Sequence, residues 1–362
     1  MRRILHLVDG QAGFQARWTV GALTGAAMAA LGTDYISNVL TIGSNRYPAS
    51  ENTEPLVCSG RTRNVFSAAC WLNWRQEPEI LHTWGARALH AAALVRGGQF
   101  IHSPSPKLDH SELRRMMRVA RRGNGHFIFY SHAQRNRAVC GGLPADLCRV
   151  IRPGLKAVAT ERDWRLRVQL GFEAEDFVVL APGESNDQAE HALAVWTTVI
   201  LHELDPRWRL LVWGRGDRAG HVQRLAQRMG FPRLVRAAAD LEPGRLLAVA
   251  DAALLTGRAE AENLPLAMCM AAGVPMVSTP REGLVDGRNA IVVGDRGPRR
   301  LAQALMTLRA DEQMRKAISG AGRADAEKRY SMEGFVREYG EVYAEFDECP
   351  HPNPPPEYQG RQ

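Results

Sequence analysis

Ala250-Asp251-Ala252-Ala253-Leu254-Leu255, then Arg258-Ala259-Glu260-Ala261-Glu262-Asn263-Leu264-Pro265-Leu266, then Met270-Ala271-Ala272-Gly273-Val274-Pro275-Met276-Val277, is the stretch that decides the fold. Ala252 to Leu255 is a short apolar run and reads as a buried strand. An acidic loop follows. Pro265 to Ala272 reads as a short helix stopped by Gly273, and Met276 to Ser278 as the next strand.

The same alternation extends in both directions. Toward the N-terminus, Phe177 to Ala181 and Arg209 to Trp213 read as strands. A helix from Glu190 to Leu204 turns Leu193, Trp196, Val199, Ile200 and Leu204 to one face. Toward the C-terminus, Ala290 to Val293 reads as a strand and 298–309, 311–328 and 332–346 as helices. Arg152-Pro153-Gly154 interrupts the pattern and reads as a hinge. Before it, strands are expected at 3–8, 35–42, 80–83, 99–102, 126–130 and 148–151, with helices between and a long loop over 44–62. Strand–helix alternation on both sides of a hinge predicts an α/β protein of two Rossmann-like parallel-sheet domains, 1–153 and 154–331. The Pro-rich tail 347–362 reads as disordered.

At 362 residues, 45% hydrophobic and 23% charged, the chain has the composition of a globular protein of about two domains. The Met1–Asp9 apolar run is too short for a signal-peptide core, so a cytoplasmic location is expected. Net charge is 46 − 39 = +7, and all but Lys107, Lys156, Lys316 and Lys328 of the basic residues are arginine. The arginines are scattered, as on a solvated basic surface, and no nucleic-acid motif accompanies them. None of the six cysteines forms a C-x-x-C pair and no His pair has zinc spacing, so free thiols and no metal site are expected.

The deciding stretch resembles the family-four (group 1) glycosyltransferases. So do Ile4-Leu5-His6-Leu7-Val8 with Gly10 and Gly13, Pro78-Glu79-Ile80-Leu81-His82-Thr83-Trp84-Gly85, Tyr130-Ser131-His132-Ala133-Gln134-Arg135 and Arg149-Val150-Ile151-Arg152-Pro153-Gly154. The resemblance covers about residues 2 to 346. It implies the GT-B fold, with two domains facing a cleft and a C-terminal helix crossing back to the first. It also implies retaining transfer from a nucleotide-sugar donor without metal or cofactor. The implied acceptor is a glycan or lipid-linked molecule, and the +7 charge permits peripheral contact with the inner membrane face.

Such a site needs cations or backbone N–H groups for the diphosphate, a carboxylate for the ribose and a preorganised polar centre. The resemblance places the donor-phosphate Arg and Lys in Gly183-Glu184-Ser185-Asn186-Asp187-Gln188-Ala189-Glu190, which holds three acids and no base. No lysine lies between Lys156 and Lys316. It implies two glutamates eight positions apart. The first is Glu260 or Glu262, according to register, and the second place falls on Met268 or Met270. Catalytic candidates are therefore His82, Glu260 and Glu262. Donor-side candidates are Gly10, Gly13, Gly183, Arg215, Arg258 and Met268, with Arg215 and Arg258 standing in for the missing cations. His102 and Ser131 are acceptor-side candidates; alternatively His102 is a core residue and Ser131 a helix N-cap. Trp71, Trp74 and Trp84 read as packing. A catalytically silent relative acting as a binding or scaffolding subunit is the competing reading, and a nucleotide-sugar epimerase the third.

Overall fold

The computed structural model describes residues 2–9, 19–20, 23, 35–42, 58–62, 65–75, 80–94, 100–105, 108–123, 125–155, 161–183, 190–213, 218–238, 241–257 and 263–348. The chain divides into two compact units. One is Met1–Gly154 with Met332–Gln362, the other Leu155–Ser331.

The first unit contains β1 (Arg2–Asp9), β2 (Tyr35–Ile42), β3 (Cys58–Thr62), β4 (Ile80–Trp84), β5 (Phe100–Ser103), β6 (Gly125–Phe129) and β7 (Cys148–Val150). They form one sheet in the order β3-β2-β1-β4-β5-β6-β7, and all neighbours are parallel. The second unit has β8 (Phe177–Ala181), β9 (Trp208–Val212), β10 (Val235–Ala237), β11 (Ala252–Leu255), β12 (Met276–Ser278) and β13 (Ile291–Val292). Their order, β10-β9-β8-β11-β12-β13, is again wholly parallel. In β5, β8, β11 and β12 every residue is buried, because helices cover both faces of a parallel sheet. Two Rossmann-like sheets are the α/β architecture expected.

The helix Met332–Glu348 packs on the first sheet. Phe335, Tyr339 and Tyr343 share a core with Ile4, Trp84 and Ile101. Gly154 lets it approach, since a Cβ there would lie 2.7 Å from Phe335 Cβ. No helix among the described residues is long and apolar enough to cross a membrane.

Three expectations change. Cys58–Thr62, at the end of the loop expected over 44–62, is the edge strand β3. Its small polar residues carry no apolar alternation, and pairing with β2 alone defines it. Val235–Ala237 is a strand that the pattern does not predict, while the helix Val65–Arg75 is one of those expected between the strands. In the helix His191–Leu204, Trp196 and Leu204 are exposed, whereas Ala194, Val195, Thr197, Thr198 and Leu201 are buried. Thr197 and Thr198 donate their hydroxyls to the carbonyls of Leu193 and Ala194, so two polar residues enter the core without unmet bonds.

Candidate functional site

In a parallel sheet of this kind, ligands bind beyond the carboxyl ends of the strands where strand order reverses. The reversals fall between β1 and β4 and between β8 and β11.

At the first reversal, Asp9 ends β1 and is buried. It accepts hydrogen bonds from the Arg87 backbone N–H at 3.1 Å and from Arg87 Nε at 2.8 Å, and Arg87 Nη2 donates to Ile42 O at 3.1 Å. Gly85, with φ 86°, turns the chain from β4 into the helix Ala86–Ala93 that carries Arg87. Sequence reasoning passed over this pair. The only signal was an acid closing an apolar strand.

His82 lies in the middle of β4 rather than at its carboxyl end, and it is fully buried. Its Nδ1 is 2.9 Å from Tyr343 Oη and its Nε2 3.0 Å from Ser103 Oγ. Either tautomer is satisfied, because a hydroxyl can donate or accept. Burial, with His6 and His102 nearby, holds its pKa well below the ordinary value, so the ring is neutral. It stacks on Trp84 at 4.0 Å between ring centroids. Trp84 Nε1 in turn donates to His6 Nδ1 at 3.2 Å. In this arrangement neither His82 nitrogen is open to a substrate.

His102 is buried on the opposite face. Its Nδ1 is 2.9 Å from Thr83 Oγ1 and its Nε2 3.3 Å from Glu112 Oε1. Glu112 also accepts from the Ser105 N–H at 3.0 Å and from its hydroxyl. Ser131 is an N-cap: its Oγ accepts from the Gln134 N–H at 3.1 Å, while Gln134 Oε1 accepts from the Tyr130 N–H. His82, His102 and Ser131 thus sit within the fold of the first unit: His82 and Ser131 are hydrogen-bonded to protein partners, and His102 Nε2 faces Glu112 without a hydrogen bond among the described residues.

At the second reversal the strand ends form an apolar recess lined by Leu180, Pro182, Trp213, Leu246, Pro265 and Met268, among others. Gly183 leaves β8 with φ 97°, a conformation that strains any residue with a Cβ. Met268 projects from the helix Asn263–Ala272 and is buried, and Met270 is buried as well. In either register, the place of the second glutamate is a buried methionine. Gly273 ends this helix with φ 68°. Its N–H donates to Met270 O and that of Val274 to Cys269 O, a Schellman cap.

The ends of the 183–190 segment are anchored. His191 Nε2 lies 3.3 Å from Pro182 O, and burial pushes its pKa down to about 4. Glu190 adopts φ 49° and its carbonyl accepts from Thr256 Oγ1 at 3.1 Å. Its carboxylate pairs with Arg296. Gly10, Gly13, residues 184–189, Arg215, Arg258, Glu260 and Glu262 lie outside the described residues, as do the side chains of Trp71 and Trp74. Among the described residues no group of three His, Cys, Asp or Glu is placed to hold a metal ion.

Comparison with known proteins gives this geometry a context. Residues 176–311 match the family described as glycosyl transferases group 1. EpsD of Bacillus subtilis (strain 168), named as a glycosyltransferase, is 24% identical over 189 residues, which is 50% of this chain and 49% of that protein. The chain thus matches about half the length of this curated relative. The crystal structure of Anabaena HepE in complex with UDP-glucose superposes with TM-score 0.80 at 18% identity, covering 95% of this chain and 100% of that one. Sucrose-phosphate synthase from Thermosynechococcus elongatus gives 0.73 at 17% identity over 96% and 99%. The chain therefore has the GT-B fold, and its residues 176–311 are similar to the group 1 glycosyl transferases.

Proposed function

We propose that the protein is a glycosyltransferase that moves a sugar from a nucleotide-sugar donor, bound by the 155–331 unit, to a glycan or lipid-linked acceptor. The observation that carries this is where the family match falls. Residues 176–311 begin at the strand leading into the apolar recess and include every residue that lines it. The flat indole of Trp213 with Leu246 and Met268 suits a nucleobase, which needs apolar contact on its face. HepE, similar in fold, is known as a complex with UDP-glucose.

In this reading Glu260 or Glu262 supplies the acid of the reaction centre, and Arg215 and Arg258 supply phosphate contacts. Gly10, Gly13 and Gly183 admit backbone close to the ligand. His82 is a positioning residue that ties β4 to the C-terminal helix. Transfer proceeds with retention and without metal or cofactor, and no nucleic acid takes part. Peripheral contact at the inner membrane face is part of the proposal.

The test is release of nucleoside diphosphate from a panel of nucleotide sugars, offered with and without glycan and lipid-linked acceptors. Acceptor-dependent release that EDTA leaves unchanged is expected. A silent binding relative is the second reading, favoured by the burial of Met268 where the resemblance implies a ribose carboxylate. It predicts donor binding without release.

A further inference from the structure

Arg281 follows β12 in the loop Thr279-Pro280-Arg281, and its side chain is buried, with 9% exposure for the residue. Its guanidinium offers five N–H donors. Among the described residues its one hydrogen bond runs from Nη2 to Gly257 O at 2.8 Å, and the buried Nε has no acceptor there. Among the described residues no carboxylate pairs with it. The ionisable group that acts on it is the Cys269 thiol, which burial pushes up to about 12 and so keeps uncharged at neutral pH. Burial pulls Arg281 itself down only to about 10, so it carries a full charge at neutral pH.

A buried cation without a counter-ion is costly, and proteins rarely keep one that nothing uses. Stability does not require it here. Gly257 O also accepts from Thr279 Oγ1 at 3.1 Å, so that carbonyl keeps a partner without Arg281. The contrast with Arg296 is direct, because Arg296 at the same edge is neutralised by Glu190. Arg281 also lies where a ligand would meet it. Gly257 and Thr279 stand just past the carboxyl ends of β11 and β12.

We propose that Arg281 is the resident cation of an oxyanion site at the carboxyl ends of β11 and β12, taking a phosphate group through its unused N–H donors. If the nucleotide-sugar reading holds, that group is the donor's diphosphate. Free phosphate is the other source of the same chemistry. An arginine here supplies a charge that the acid-rich segment Glu184–Glu190 does not.

The test titrates inorganic pyrophosphate, UDP and UDP-glucose into the full-length wild type and the Arg281→Met and Arg281→Lys variants by calorimetry, with thermal melts of each protein alone. Arg281→Met is expected to bind UDP or pyrophosphate at least tenfold more weakly, a loss of about 1.4 kcal/mol. Arg281→Lys should fall between the two, keeping charge but losing the fork. Without ligand, Arg281→Met should melt at or above the wild-type temperature, because an unpaired buried charge has been removed. A ligand-free Arg281→Met that melts lower or fails to fold makes the arginine structural and overturns the inference. Affinities unchanged by Arg281→Met overturn it too, as does a wild type that binds none of the three probes. If pyrophosphate binding depends on Arg281 while UDP and UDP-glucose bind no tighter than pyrophosphate, the anion site stands and the nucleotide-sugar reading falls. If UDP-glucose binds tightly and Arg281→Met does not weaken it, the reading stands and this inference falls.

Discussion

His6, His82 and His191 are all buried and neutral. Burial is the first cause of each lowered pKa, to about 3 for His6 and about 4 for His191. Once the chain unfolds, each recovers its ordinary value of 6.5 and takes up a proton below it. Stability is thus full above pH 6.5 and falls as pH drops through the window down to each folded-state value. Each histidine removes roughly 1.4 kcal/mol per pH unit. Thermal melts between pH 7.5 and 4.5 should show a steep loss below 6.5, and His191→Gln should make the slope shallower. A flat profile would contradict the neutral, buried assignment. Met268 gives a second test at this scale. It sits against Leu180, Trp213 and Leu246 with no cation among the described residues of that wall, so Met268→Glu buries a carboxylate without a partner there. Denaturant melts at pH 8 should show a loss on the order of 3 kcal/mol, against under about 1.5 for Met268→Leu. Equal stabilities would mean the recess is wetter than its lining implies.

At the scale of elements, the contact between Gly154 and the helix Met332–Glu348 is sensitive to a single methyl group. Gly154→Ala brings a Cβ against Phe335 Cβ, Cγ and Cδ1, none of which is a flexible tip. Chemical melts should show a loss of about 1–3 kcal/mol, and an unchanged midpoint would mean the helix shifts freely. Why some elements were legible in the sequence and others were not follows from the same physics. β8 and β11 are short, wholly apolar and bounded by turn residues, so burial on both faces shows directly in composition. β3 and β10 lie at sheet edges and are held by backbone pairing, which leaves no apolar pattern to read. The helix His191–Leu204 was legible as a helix but not in its orientation. Its apolar residues surround it, and only the bonding of Thr197 and Thr198 tells which side is inside. The site was less legible still. His82 and His102 stood out as polar residues in strands, yet that pattern fits a satisfied core network as well as a cleft. Tyr343, the partner of His82, is 261 positions away and gives no local signal. Arg281 was invisible among 42 arginines, because only burial and the lack of a carboxylate partner among the described residues distinguish it.

For the whole molecule, the account places the donor beyond the carboxyl ends of β8, β9, β11 and β12, with Trp213 and Met268 on the base side and Arg281 near the phosphates. The opposite ends of those strands carry a different surface, with Arg162, Arg315, Lys316 and Arg323 beside Asp251 and Glu312. Net charge alone would favour that basic patch for any anion, so the location of binding, more than its existence, separates the two accounts. Hydrogen–deuterium exchange of the full chain resolves it, using the nucleotide sugar from the panel that gives the largest rise in melting temperature. The account predicts slowed exchange in the segments around Gly183–His191, Trp213, Gly257–Met268 and Ser278–Arg281. Protection confined to the 312–323 segment, or no protection by any nucleotide sugar, would contradict it.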